Sequence, residues 1–304
     1  MKLGILTAPF PGTTLGEVAD WTAESGFTAI EIAAWPASSG DTRRYAGTSH
    51  VDVEDMSETR ASEIVDDMGR RGLEISGLGY YPNPLHPDQD HRRSVIDHLK
   101  RVIAAASRMN VPVVNTFMGA DRTKTQDENW EEATAVWPEI VSWAGDHGVR
   151  IAIENCPMIF SKDEWPSGHN LAYNPRIWRR MFEEFGETIG LNFDPSHLIW
   201  LMIDIESAIL EFGSRFYHFQ AKDVMIDHEG LYENGTLSSG IGWQVPRLPG
   251  LGDVDWARVF SALYRSGYDG PIIIEHEDRD FEGSDELVKR GFLLARDVLA
   301  PYVK

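Results

Sequence analysis

Asp146-His147-Gly148-Val149-Arg150-Ile151-Ala152-Ile153-Glu154-Asn155 reads as a helix end, a glycine turn and a short strand that stops on two polar residues. Glycine just past a helix supplies the left-handed step that ends it, and here the strand begins at once. Ile151, Ala152 and Ile153 are apolar at successive positions, as a parallel strand buried on both faces requires. The same junction recurs at Glu24-Ser25-Gly26-Phe27, Arg70-Arg71-Gly72-Leu73 and Arg265-Ser266-Gly267-Tyr268. Repeated on this pattern, βα units predict a parallel sheet with helical crossovers.

Outward from that stretch, strands are predicted at 2–7, 28–32, 73–78, 112–116, 150–154, 189–193, 216–220 and 271–275. Helical periodicity fills 15–25, 58–71, 90–109, 129–147, 175–185, 205–212, 256–266 and 284–299. Such alternation suggests a closed (β/α)8 TIM barrel, a single domain over residues 1–304. The glycine-capped αβ turns mark its bottom. The βα connections at 33–57, 79–88, 117–127, 155–174 and 223–255 are longer and hold most of the Pro, Trp, His and Asn. Long loops at one end of a barrel usually build the active site.

Composition narrows the function. The 48 acidic residues against 28 basic ones give a formal charge of −20, which repels nucleic-acid phosphate and anionic lipid. No apolar run is long enough to span a membrane, and the N-terminus reads as a strand rather than a secretory signal. A single cysteine, Cys156, excludes an internal disulfide and fits a reducing cytoplasm. It has no evident base partner in the sequence, which argues against a nucleophilic role.

Four strand ends carry ligand-type residues where a packed strand should simply stop: Glu154-Asn155, Asp194-Pro195-Ser196-His197, His218-Phe219-Gln220-Ala221-Lys222-Asp223 and Glu275-His276. Each alone reads equally well as a solvated end or a helix cap. Carboxylates converging in a shielded site repel one another unless a cation lies among them. One divalent metal ion resolves that conflict; oxygen-rich ligation suits Mn²⁺ first, then Mg²⁺, Co²⁺ or Zn²⁺.

These endings, with Pro249-Gly250-Leu251-Gly252-Asp253-Val254-Asp255-Trp256 and Gly270-Pro271-Ile272-Ile273-Ile274-Glu275, resemble the xylose-isomerase-like barrel superfamily along essentially the whole chain. The resemblance is to the branch of sugar (phosphate) isomerases and epimerases. It implies metal ligands at Glu154, Asp194 and Glu275. The fourth ligand, a histidine in the family, falls on Gln220, with His218 two residues earlier on the same strand face. An amide oxygen there implies a harder, all-oxygen site, with His218 as neighbour or substitute.

The resemblance further implies a sugar or sugar-derivative substrate, with a homo-oligomer or an accessory-subunit role left open. Its chemistry is proton abstraction next to a carbonyl through a cis-enediolate, with Glu154 and Glu275 as the acid/base pair. The alternative is a lyase (dehydratase or 3-oxo-glycoside cleavage) on the same residues, by expulsion of a β leaving group. Substrate contacts are expected from His197, His86, Asn115, Arg247 and Lys222. For His197 a hydrogen bond beside Asp194, and for His86 a loop cap, serve as well. Asn115 also fits as a satisfied buried amide, and it stands where a nuclease of the endonuclease IV type needs a histidine. Phe160 replaces a substrate-binding Glu of the tagatose-type epimerases, and Arg247 is shifted by one place from its family counterpart. Trp35, Trp165, Trp200 and Trp243 near the strand ends read either as packing or as stacking surfaces for a bulky substrate.

Overall fold

The computed structural model describes residues 1–36, 47–159, 168–236 and 242–303. Eight parallel strands close into a barrel: β1 (Lys2–Leu6), β2 (Ala29–Ala33), β3 (Glu74–Gly79), β4 (Val113–Thr116), β5 (Arg150–Glu154), β6 (Ile189–Phe193), β7 (Phe216–Ala221) and β10 (Pro271–Ile274). Neighbours pair in chain order, and β10 closes the ring against β1 with Lys2 opposite Pro271. Every predicted strand is present, within a residue or two at its ends. The strands are apolar because both faces are covered: Ile5, Ile30, Ile151, Ile153, Leu191, Phe193, Phe219 and Ile272 are fully buried. Each such side chain contributes roughly 1.5–3 kcal/mol before entropy is charged against it.

The helices form the outer ring, and their starts show why they begin where they do. Thr14 and Glu17 make a capping box at α1 (Leu15–Glu24), and Thr125 with Glu128 makes another at α4 (Gln126–Asp146). Asn174 caps α5 (Pro175–Phe185), with proline at the first helical turn, where its missing N–H costs nothing.

The segment 223–255, expected as a loop, is built differently. It contains an antiparallel hairpin of β8 (Asp223–Ile226) and β9 (Gln244–Arg247), with α8 (His228–Asn234) between them. Four-residue strands carry little periodic signal, and Pro246 argues against a strand except at an edge, where it lies here. Asp223 anchors this cap. Its carboxylate accepts from the backbone N–H groups of Val224, Gly250 and Val254 and from Trp256 Nε1 at 2.9–3.0 Å. Gly252 is obligatory in that turn, since a Cβ there would stand 2.3 Å from Asp223 Oδ1.

Candidate metal centre

Glu154 is the last residue of β5, Asp194 and Glu275 directly follow β6 and β10, and Gln220 precedes the last residue of β7. One carboxylate oxygen from each of Glu154, Asp194 and Glu275 lies within 4.8 Å of the others. Glu154 and Asp194 are buried, and the Glu275 side chain is 13% exposed. The barrel therefore brings together three of the four predicted ligands from strands that are far apart in sequence.

Two asparagines fix those strand ends. Asn155 donates to the Asp194 carbonyl and accepts from the Asp194 N–H, while Asn170 Nδ2 donates to the carbonyls of Glu154 and Cys156. Neither residue was singled out by the sequence as a positioning group, although Asn155 stood inside a noted strand ending.

Lys222 enters the cluster from the junction of β7 and β8. Its Nζ lies 3.0 Å from Asp194 Oδ2, 3.0 Å from Glu275 Oε2 and 3.2 Å from Glu277 Oε2. His197 sits on the five-residue helix α6 (Ser196–Trp200), with Nε2 3.0 Å from Asp194 Oδ2 and 3.5 Å from Glu154 Oε1. Burial raises the carboxyls of Glu154 and Glu275 above the usual range. Burial would raise Asp194 too, but Lys222 and His197 beside it hold it low. Burial works against the Lys222 charge, and the surrounding carboxylates more than offset it.

Gln220 and His218 differ in their surroundings. His218 is fully buried, with Nε2 3.1 Å from Ser76 Oγ and Nδ1 2.9 Å from Asn192 Oδ1, and burial pushes its pKa down to about 3. It is a neutral, committed hydrogen-bonding group. Gln220 Nε2 donates to Tyr81 Oη at 2.8 Å and faces Glu31 Oε2 at 3.4 Å, while Gln220 Oε1 is buried with no hydrogen-bond partner among the described residues. Glu31, in β2, is fully buried and bonded by the Tyr81 hydroxyl; burial raises its carboxyl to about 7. The sequence reading missed Glu31, Tyr81, Asn192 and Glu277. An acid inside the apolar run Ala29-Ile30-Glu31-Ile32-Ala33 was the available signal for Glu31.

The other predicted contacts are placed as follows. Asn115, in β4, is fully buried and close enough to Glu31 to favour its charged form. His86 accepts from the Asp88 N–H and packs edge-on against His91, the loop-cap arrangement. Arg247 Nη1 pairs with Asp278 and Asp280, tying the β8–β9 hairpin to the turn after β10. The structure thus gathers His197, Lys222 and Asn115 around the carboxylates or their supporting network, and gives His86 and Arg247 partners in their own loops.

Trp35 packs edge-on against Tyr80, and Trp200 against Trp243. All three tryptophans are buried, so they are packing and not open stacking surfaces. Trp165 and Phe160 lie outside the described residues. Cys156 has a neighbour that its sequence context did not reveal: it lies within 4.8 Å of both Glu154 and His197. Burial raises its pKa, which keeps it a thiol.

The family model described as Xylose isomerase-like TIM barrel matches residues 19–298. The chain belongs to that family. Its relatives include YfiH of Bacillus subtilis (strain 168), 25% identical over 314 residues, which cover 91% of this chain and 93% of YfiH. Two solved structures superpose along the full length of both chains. One is the D-psicose 3-epimerase of Clostridium cellulolyticum H10 with D-tagatose, at TM-score 0.71 and 17% identity. The other is the IolI protein with a bound zinc atom, at TM-score 0.73 and 16% identity. At such identities the superpositions establish the fold.

In this member of the family the donor set itself fits a divalent cation. Three carboxylates converge as the donors to a cation would, with Lys222 Nζ beside two of them, and Gln220 Oε1 is buried with no hydrogen-bond partner among the described residues. An unsatisfied buried carbonyl costs about 1–3 kcal/mol, a penalty that ligation removes.

Proposed function

We propose that the protein is a divalent-metal-dependent sugar isomerase or epimerase in which Glu154 and Glu275 are the acid/base pair. The observation that carries this reading is the convergence of Glu154, Asp194 and Glu275 at the mouth of the barrel. The likeness to a D-psicose 3-epimerase seen with D-tagatose supports a ketose-type substrate.

Glu154, Asp194, Gln220 and Glu275 would hold a divalent ion, which would supply the positive charge that polarises a carbonyl and its neighbouring hydroxyl. Glu154 and Glu275 come from strands separated in the barrel by β6 and β7, so they reach a substrate from different sides. Burial raises both carboxyls above the usual range, which makes each a stronger base once ionised. One carboxylate removes the proton from the carbon beside the carbonyl, leaving a cis-enediolate. The other returns a proton to a different carbon or to the opposite face. The Lys222 ammonium, within 3.0–3.2 Å of three carboxylates, offsets their negative charge while the substrate carbanion forms. His197 Nε2 stands 3.0 Å from Asp194 Oδ2 and 3.5 Å from Glu154 Oε1, a second nitrogen beside the carboxylates.

The test is turnover of candidate ketoses in D₂O with Mn²⁺. The expected result is deuterium at the carbon next to the carbonyl in a rearranged sugar otherwise unchanged in mass. A product that has lost water or an aglycone assigns the same proton abstraction to a lyase. Turnover without C–H cleavage contradicts the proposal.

A further inference from the structure

A glutamine ligand raises a problem that a histidine ligand does not. The amide can rotate by 180° at little intrinsic cost, presenting either an oxygen or an NH₂ group to a cation. Something beside it has to set the choice. We propose that Glu31 and Tyr81 are positioning residues that hold the Gln220 amide with its oxygen turned towards the metal; this rests on the metal-dependent reading above.

The hydrogen bonds around Gln220 carry the argument. The Tyr81 hydroxyl receives Gln220 Nε2 at 2.8 Å and Asn192 Nδ2 at 3.2 Å, and it gives its own proton to Glu31 Oε1. Glu31 Oε2 faces the same Gln220 nitrogen at 3.4 Å. Glu31 accepts through both oxygens, Oε1 from Tyr81 and Oε2 from Gln220, and the Gln220 NH₂ group is drawn to Tyr81 and Glu31. Rotating the amide would set Oε1 against Glu31 Oε2, acceptor against acceptor, and would leave the NH₂ facing a cation. Among the described residues Oε1 is accordingly the atom left buried and unpartnered. Asn192, which donates to Tyr81, stands opposite Glu154 in the β5–β6 register, and Gln220 stands opposite Ile273, two residues before Glu275, in the β7–β10 register, which places the clamp beside the carboxylate cluster. Supporting groups of this kind are worth roughly 10–100-fold in metal affinity.

The test is Mn²⁺ titration at pH 8 of EDTA-stripped protein by calorimetry, with the EPR spectrum of the bound ion as a second readout. Tyr81→Phe and Glu31→Gln should each weaken Mn²⁺ binding roughly 10–100-fold and alter the EPR spectrum. Gln220→Ala should weaken binding by a comparable factor, and adding Tyr81→Phe to Gln220→Ala should weaken it no further. Equal losses from Tyr81→Phe in both backgrounds would show that Tyr81 does not act through Gln220 and overturn the proposal. Unchanged affinity in Tyr81→Phe and Glu31→Gln overturns it as well. Wild-type affinity in Gln220→Ala overturns it while leaving the carboxylate site standing. A wild-type protein that takes up no Mn²⁺ overturns it together with the proposed function.

Discussion

The side chain of Asn155 grips the backbone of Asp194 on both sides, donating to its carbonyl at 2.9 Å and accepting from its N–H at 2.8 Å. This pair joins the end of β5 to the end of β6 and sets the spacing between Glu154 and Asp194. Replacing Asn155 by Leu strands a buried N–H and a buried carbonyl. We expect a stability loss of about 2–6 kcal/mol, from two unmade bonds at 1–3 kcal/mol each, and weaker Mn²⁺ binding. Urea denaturation and metal titration of the variant measure both, and a variant as stable as wild type would show that the brace carries no load.

Glu154→Gln, Asp194→Asn and Glu275→Gln should each lower bound Mn²⁺ while preserving the circular dichroism spectrum, because each change keeps the side-chain volume. Elemental analysis of the purified variants reads this directly. Full metal content and full turnover in any one of them removes that residue from the site.

The barrel and its carboxylates were legible in the sequence because glycine-capped junctions and buried parallel strands have strong local signatures, and because acids at strand ends break them. Glu154, Asp194 and Glu275 stood out in this way. What the sequence could not show is which side chains meet across the barrel. Glu31, Tyr81 and Asn192 come together from β2, from the connection after β3 and from β6, a convergence that only closure of the barrel produces. His86 and Arg247 illustrate the converse: each lies in a mouth loop, yet each is held by partners within a few residues or across the cap. The β8–β9 hairpin was hidden by its shortness and by Pro246.

Lys222→Met removes the cation from three close carboxylates. Losing one partner of a buried ion pair typically costs about 3–5 kcal/mol, so the metal-free variant should be markedly destabilised at pH 8. The uncompensated acids then take up protons more readily when folded than when unfolded, so stability should recover as pH falls. Added Mn²⁺ should also restore it. A loss independent of both pH and Mn²⁺ would contradict this account of Lys222.

Glu31 carries a pH signature of its own. Its folded pKa is raised from 4.5 to about 7, so its contribution to stability is complete below 4.5 and is lost as pH rises through about 7. In EDTA, the difference in unfolding free energy between wild type and Glu31→Gln should change by on the order of 3 kcal/mol across that window. Parallel pH profiles for the two proteins would show that Glu31 titrates normally.

The most direct test of the account is anomalous diffraction from crystals soaked in Mn²⁺. One strong peak is expected at the C-terminal mouth of the barrel. It should lie within roughly 2.0–2.3 Å of oxygens from Glu154, Asp194 and Glu275 and of Gln220 Oε1. No peak among these carboxylates, or an ion coordinated by His218 with the Gln220 oxygen turned away, would contradict it.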